Sequence, residues 1–251
     1  MVRGIAFAAL LLAASPQDEL APAGKLRVGV ASAPKPSSFF VVEEQGKPRG
    51  VTVDLGEALA RELGVAAEFF VAHNSGELTD ALERGRIDVA FFPVDEERKK
   101  RVAFGPAYVE FESTALVLGN TPFRTVRDLD KPGVRVGVES NTTTGRAVAA
   151  ALKSPTIIPI RSVGEAIAML KAREVDAFAL SRGNLENYKA EIPGSRILDG
   201  RFHSSSVAIA VAKNKPAALA RVTAFMQEAK SSGAVRKALD RVGEQSTAVA
   251  P

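Results

Sequence analysis

Cysteine and tryptophan are absent from the 251 residues, and histidine and tyrosine occur only twice each. Without cysteine there are no disulfides, thiolate metal sites, iron–sulfur ligation or cysteine nucleophiles. His73 and His203 cannot build a multi-histidine metal centre, and no G-x-S-x-G context supports a serine–histidine hydrolase. Neither cofactor, metal nor catalytic residue is expected. Charge of one sign is also lacking: 33 Lys and Arg are interleaved with 29 Asp and Glu, for a net +4. With no aromatic-plus-basic module, no nucleic-acid partner is expected. What remains, 46% hydrophobic and 25% charged, suits one large globular domain or two smaller lobes.

Long apolar runs are missing too. The longest, Gly4 to Ala14 behind Met1-Val2-Arg3, has the length of a signal-peptide core and is too short to span a bilayer. Cleavage is expected either at Ala13-Ala14-Ser15 or at Ala21-Pro22-Ala23. A cysteine-free exported chain cannot be a lipid-anchored lipoprotein, so a free periplasmic protein is expected.

The remaining pattern alternates strands with short helices, which argues for parallel sheet covered on both faces. Leu26–Val30 reads as a strand, Asp54–Leu63 as a helix opened by an Asp54/Glu57 box, Ala67–Ala72 as a strand, Ser75–Arg84 as a helix and Ile87–Phe92 as a buried strand. The order then recurs in Val134–Val138, Thr142–Leu152, Thr156–Ile160, Ser162–Ala172 and Glu174–Leu180. Gly76, Glu77, Leu82 and Asp88 match Gly164, Glu165, Leu170 and Asp176, each 88 residues on. Two lobes of like design are expected, with the strand Val207–Ala212 and two C-terminal helices returning to the first. Crossovers fall near Ser113–Val117 and Val207–Ala212. The assignment is signal and linker at 1–23, first lobe at 24–114 plus 208–251, and second lobe at 115–207. Open α/β sheets bind ligands at the carboxyl ends of their strands, so the cleft between lobes is the expected site.

Several polar residues fall at those strand ends. Arg98 follows the buried strand, where a guanidinium can hold a carboxylate with two parallel hydrogen bonds. Ser140-Asn141-Thr142-Thr143-Thr144 lies where a strand turns into a helix, a place for an anion or for an ordinary cap. Ser181 and Arg182 end the strand Glu174–Leu180. His73 and Asn74 occupy the matching end in the first lobe. Glu110 and Glu112 read as solvated or hinge residues near a crossover rather than as an acid/base pair.

Leu26-Arg27-Val28-Gly29-Val30, Gly46 to Leu55, Gly85-Arg86-Ile87-Asp88-Val89-Ala90, the Arg98 segment ending Phe104-Gly105-Pro106-Ala107-Tyr108, Thr125 to Leu129, and Val136-Gly137-Val138 leading to Thr142-Thr143 together resemble the family 3 bacterial extracellular solute-binding proteins. These are periplasmic receptors of ABC importers for polar amino acids and related solutes. The resemblance implies an α/β fold, a two-lobe periplasmic-binding-protein-like clamp with two interlobe crossovers. It also implies a monomer that serves an inner-membrane permease. Arg98 matches the family arginine that grips the ligand α-carboxylate, assisted by Thr142 and Thr143.

Three departures bear on the ligand. The aspartate common after the first-strand glycine is Ala31, and the covering aromatic falls near Pro34. The carboxylate that holds the α-ammonium is Ser181. The polar residues before the arginine are Phe91-Phe92-Pro93-Val94. A buried ammonium without a partner costs a few kcal/mol, so the expected solute is a small organic anion or amino-acid derivative. Arg98, Asn141, Thr142, Thr143, Ser181 and Arg182 would bind it, with Phe92 and Phe39 as apolar walls. Two alternatives share the fold: a cyclohexadienyl dehydratase, which needs an acid poised in the cleft and finds none at the strand ends considered, and a sensory clamp.

Overall fold

A computed structural model describes residues 19–245 and 247–251. The export-signal core lies outside the described residues. Glu19 and Leu20, assigned from sequence to the linker, pack on the body instead. Leu20 is wholly buried, and Glu19 accepts a hydrogen bond from the Ala218 amide at 2.7 Å.

The first lobe is built on β1 (Lys25–Ser32), flanked by β4 (Ala66–Ala72) along its length and by β5 (Val89–Pro93), all parallel. The hairpin β2 (Phe40–Glu44) and β3 (Lys47–Arg49) joins β1 at its last two residues. Helices α1 (Val51–Glu62), α2 (Ser75–Glu83) and α3 (Glu96–Arg101) connect these strands. α1 begins three residues before the expected Asp54/Glu57 box, after Gly50 at φ 153°, with no side-chain cap. Asp54 is used elsewhere, accepting from Arg241 at 2.8 Å and so tying α1 to α8 (Ala234–Arg241).

The second lobe repeats the plan. β7 (Arg135–Glu139) lies parallel between β8 (Thr156–Ile160) and β9 (Ala177–Ser181). Connecting helices are α4 (Thr143–Ala151) and α5 (Val163–Lys171); α6 (Arg182–Lys189) and β10 (Ser195–Ile197) follow. The sequence echoes have physical counterparts. Asp88 accepts from the Arg27 amide, Nε and Nη2 at 2.7–3.0 Å, and Asp176 does the same for Arg135 at 2.8–3.1 Å. Glu77 accepts from the His73 amide and Glu165 from the Arg161 amide, each just before its helix. Gly29 and Gly137 fill matching positions: an added Cβ would stand 2.4 Å from the Ile87 and Ile160 side chains respectively.

Two strands join the lobes, which makes the fold a two-lobe clamp with two crossovers. β6 (Val102–Leu118) is 17 residues long, about 56 Å at 3.3 Å per residue. It pairs with β11 (His203–Ala212) over its first two thirds and with β9 over Ser113–Val117. Register shifts interrupt the β6–β11 ladder at Val207/Ala208 and Ala208/Ala210. α7 (Pro216–Ser231) and α8 then pack back on the first lobe, with Pro216 in the first turn of α7. β5 and β9 are buried on both faces, and each fully buried Val, Leu or Phe contributes about 1.5–3 kcal/mol.

Removing the two repeated carboxylates should have unequal effects. Asp88 has no solvent exposure, whereas the Asp176–Arg135 pair is about a third exposed. Asp88→Ala is expected to cost about 2–4 kcal/mol by stranding Arg27 donors and Asp176→Ala about 1 kcal/mol or less. Chemical denaturation of both variants measures the difference.

Candidate functional site

The carboxyl ends of β5, β7 and β9 and the N-termini of α2 and α4 meet between the lobes around a small cavity. Its enclosed space is about 40 Å³, room for about three waters when one needs 10–15 Å³. That space alone is smaller than a solute of amino-acid size, and a hollow of about 450 Å³ adjoins it at Ser38, Phe111, Ser181 and Asn184. The lobes touch at both ends of the cleft. Lys35 donates to the Asn187 carbonyl at 2.7 Å and pairs with Glu191 at 2.8 Å, while Asn74 donates to the Arg161 carbonyl at 3.3 Å.

Arg98 stands between these contacts. It is only 2% exposed, and its position follows from local sequence. Asp95, the cap of α3, accepts from the Arg98 amide at 2.9 Å and starts the helix that turns the side chain inward. Nη1 donates to the Pro93 carbonyl (2.7 Å) and Thr143 Oγ1 (2.9 Å); Nη2 donates to Ser75 Oγ (2.6 Å) and the Asn141 carbonyl (3.2 Å). Two partners belong to each lobe. Nε has no hydrogen-bond partner, with Asp95 Oδ2 3.8 Å away. Burial draws the guanidinium pKa down to about 9 against the opposing pull of Asp95, so it is a cation at neutral pH.

Thr143 links the charges across the cleft. Its hydroxyl accepts from Arg98 and donates to Asp95 Oδ2 at 2.6 Å, and Arg146 pairs with the same oxygen. Burial works against ionisation of Asp95, but the Thr143 hydroxyl, the Arg98 amide and the two arginines hold it below the usual carboxylate range. Thr142 is a cap, accepting from the Gly145 amide at 3.0 Å and donating to the Glu139 carbonyl at 2.8 Å. Asn141, in the left-handed region at φ 57°, offers its carbonyl to Arg98 and does not line the cavity.

The other expected residues divide. Phe39 and Ser181 line the cavity, with Ser181 Oγ accepting from Asn184. Phe92 is not a wall. It lies wholly buried beneath the cleft, 5.1 Å under the Arg98 guanidinium and edge-on to Phe104 at 5.5 Å. Strand alternation turns it into the core, and Pro93, Phe40, Phe111 and Leu180 form the apolar wall with Phe39. Arg182 stands outside the cavity, half exposed, donating to the Gly200 carbonyl at 2.8 Å with Glu112 3.7 Å from its Nε. Glu112 also pairs with Arg201 at 2.7 Å, and His73 is exposed.

Among the cleft residues that the sequence did not single out, Ser75 and the apolar wall included, one is ionisable. Glu139, the last residue of β7, lines the cavity, is 4% exposed, and has an Oε1 without a hydrogen-bond partner. Burial, aided by the charge of Glu77, pushes its pKa up to about 8. The absence of an acid at the strand ends is thereby corrected. The available signal was its place, one residue before the Ser140–Thr144 turn at the end of a strand buried on both faces.

These features define a two-lobe clamp with a guanidinium buried at the seam between its lobes and a carboxyl group lining its cavity. Residues 26–245 match the bacterial extracellular solute-binding proteins, family 3, and the chain belongs to that family. It is 27% identical over 202 residues to a glutamine-binding protein of Geobacillus stearothermophilus, covering 78% of this chain and 76% of that one. It is 30% identical over 169 residues to the cyclohexadienyl dehydratase of Pseudomonas aeruginosa, covering 63% and 62%. The crystal structure of an ArgBP variant from T. maritima superposes with a TM-score of 0.79 at 29% identity, covering 91% and 99%. No helix among the described residues is long and apolar enough to cross a membrane.

Glu139 gives the fold a pH signature. A carboxyl whose folded pKa is raised contributes stability that is complete below the unfolded glutamate range, near pH 4, and lost as pH rises through about 8. Glu139→Gln should abolish that slope and be more stable than the parent by a few kcal/mol at pH 8, with little difference at pH 4. Denaturant titrations at both pH values test this; parallel pH curves would mean that the folded protein ionises Glu139 as readily as the unfolded chain.

Proposed function

We propose that the chain is the solute-binding component of an ABC importer, capturing a small carboxylate-bearing solute (an organic anion, amino acid or derivative) between its lobes and delivering it to an inner-membrane permease from the periplasm. The lobes are assigned as 24–114 plus 208–251 and 115–207, and the protein acts as a monomer. The observation that carries the reading is Arg98, a buried cation on the short helix α3 whose hydrogen bonds reach both lobes. A solute carboxylate takes the acceptor positions that the Asn141 carbonyl and Thr143 hydroxyl fill, exchanging neutral acceptors for a charged one, with roughly twice the bond strength. Because Arg98 lies on one lobe and Thr143 on the other, the solute gains more from the closed state than from the open one, which is the condition for driving closure. The glutamine and arginine receptors among its relatives support the class of solute.

A second reading has a specific observation behind it. A buried carboxyl that keeps its proton near neutrality, in a cleft that also holds an arginine, is what a dehydratase acting on prephenate-like acids requires of its general acid, and one relative carries that activity in its name. The binding reading is preferred because Arg98 and Thr143 account for capture and closure without chemistry.

A thermal-shift screen of small carboxylates, amino acids and their derivatives should find stabilising solutes, since a ligand stabilises according to its saturation. Arg98→Ala should weaken every hit by about 100-fold or more in calorimetry. Hits insensitive to Arg98, or loss of prephenate absorbance with the wild type but not with Glu139→Gln, would overturn the binding reading.

A further inference from the structure

Two carboxyl groups are buried among the described residues, Asp88 and Glu139. Asp88 is accounted for by Arg27. Glu139 has neither a cation within ion-pair distance among the described residues nor a hydrogen-bond partner for Oε1. An unpaired carboxyl in a packed interior lowers stability with no structural return, and this one lines the cavity where a solute would sit. Across that cavity Ser181, at the end of β9, is a neutral hydroxyl already engaged with Asn184. The cleft thus pairs one bound cation, Arg98, with one unmatched acid.

We propose that Glu139 recognises a cationic nitrogen on the solute, so that the solute carries an amine or guanidine directed toward the end of β7 as well as a carboxylate on Arg98. This rests on the solute-capture reading and names the second half of the ligand. Without solute the carboxyl keeps its proton at neutral pH. The titratable groups acting on it are Glu77 of α2, which holds the proton in place, and Tyr188 of α6, itself raised by burial and neutral. The buried cation of the cleft, Arg98, is committed to Pro93, Ser75, Asn141 and Thr143. When an ammonium arrives, the neutral acid gives its proton to solvent and becomes the carboxylate of a buried ion pair. One O–H bond breaks, one proton leaves, and net charge in the cleft is unchanged apart from the solute's own carboxylate. Binding of an amine-bearing solute is thereby coupled to proton release, and its affinity rises with pH up to about 8. A solute with carboxylates alone has neither coupling.

The test uses the wild-type protein and Glu139→Gln, which keeps the side-chain shape, with L-ornithine, L-arginine, γ-aminobutyrate and glutarate as probes. Calorimetry in HEPES and in Tris at pH 7 reads protons exchanged from the difference in heats. The expected result is that at least one amine-bearing probe binds the wild type with release of close to one proton and tightens about tenfold per pH unit from pH 6 to 7.5. Glu139→Gln should lose the proton release and weaken that probe at least tenfold, while binding glutarate no worse than the wild type. Amine-bearing probes that bind without proton release, that bind Glu139→Gln equally well, or that are all outcompeted by glutarate would overturn the proposal while leaving solute capture standing. If no carboxylate binds the wild type at all, or if binding ignores Arg98→Ala, both the capture reading and this assignment fall together.

Discussion

Burial of the Arg98 guanidinium is the constraint on which the arrangement of the cleft depends. A cation removed from water must find acceptors for its donors, and this one finds two on its own lobe and two on the other. The acceptor shell of Arg98 is thus shared between the lobes, half from each. Asp95 serves both sides, starting α3 so that Arg98 points inward and pairing with Thr143 and Arg146 of the second lobe. Phe92 completes the seat from below, its ring facing the cation.

The two lobes are versions of one unit with a single large difference between them. From the strand arginine to its carboxylate partner the first lobe spends 61 residues and the second 41. Much of the difference lies in the segment between β1 and α1, which carries Ser38, Phe39, Phe40 and the β2–β3 hairpin, while β7 runs almost directly into α4. That segment supplies apolar wall to the cleft, whereas the second lobe supplies mostly polar strand and helix ends. The cleft is chemically lopsided because the insertion is.

Much of this was legible in the sequence because it rests on local rules. The alternation of strands and helices, the echo of Gly76, Glu77, Leu82 and Asp88 in the second lobe, and the buried strands β5 and β9 all announce themselves through spacing and residue type. The family resemblance singled out Arg98 among the charged residues, and the fold gives that residue its burial and its interlobe partners. Other features are decided by tertiary context. Glu139 reads as an ordinary polar strand end until packing from both lobes removes it from water. Phe92 reads as a wall until the strand's alternation sends it to the core. α6 was missed because its mean hydropathy is low and it starts without a side-chain cap, its order coming from Leu185 and Tyr188 packing inward. The Asp54/Glu57 pattern misled because backbone geometry at Gly50 started α1 earlier.

The pairing of β6 with β11 bears on how such a clamp moves. The two crossovers are not independent tethers. They form one antiparallel ribbon, hydrogen-bonded from His203 opposite Ser113 to Ala212 opposite Val102. Sliding or twisting one strand past the other would break that ladder, whereas flexing across its thin direction leaves the bonds in place. The register shifts at Val207/Ala208 and Ala208/Ala210 interrupt that ladder and bend the ribbon locally. A ribbon paired in this way has essentially one soft direction, and bending along it would preserve the alignment of the two lobes.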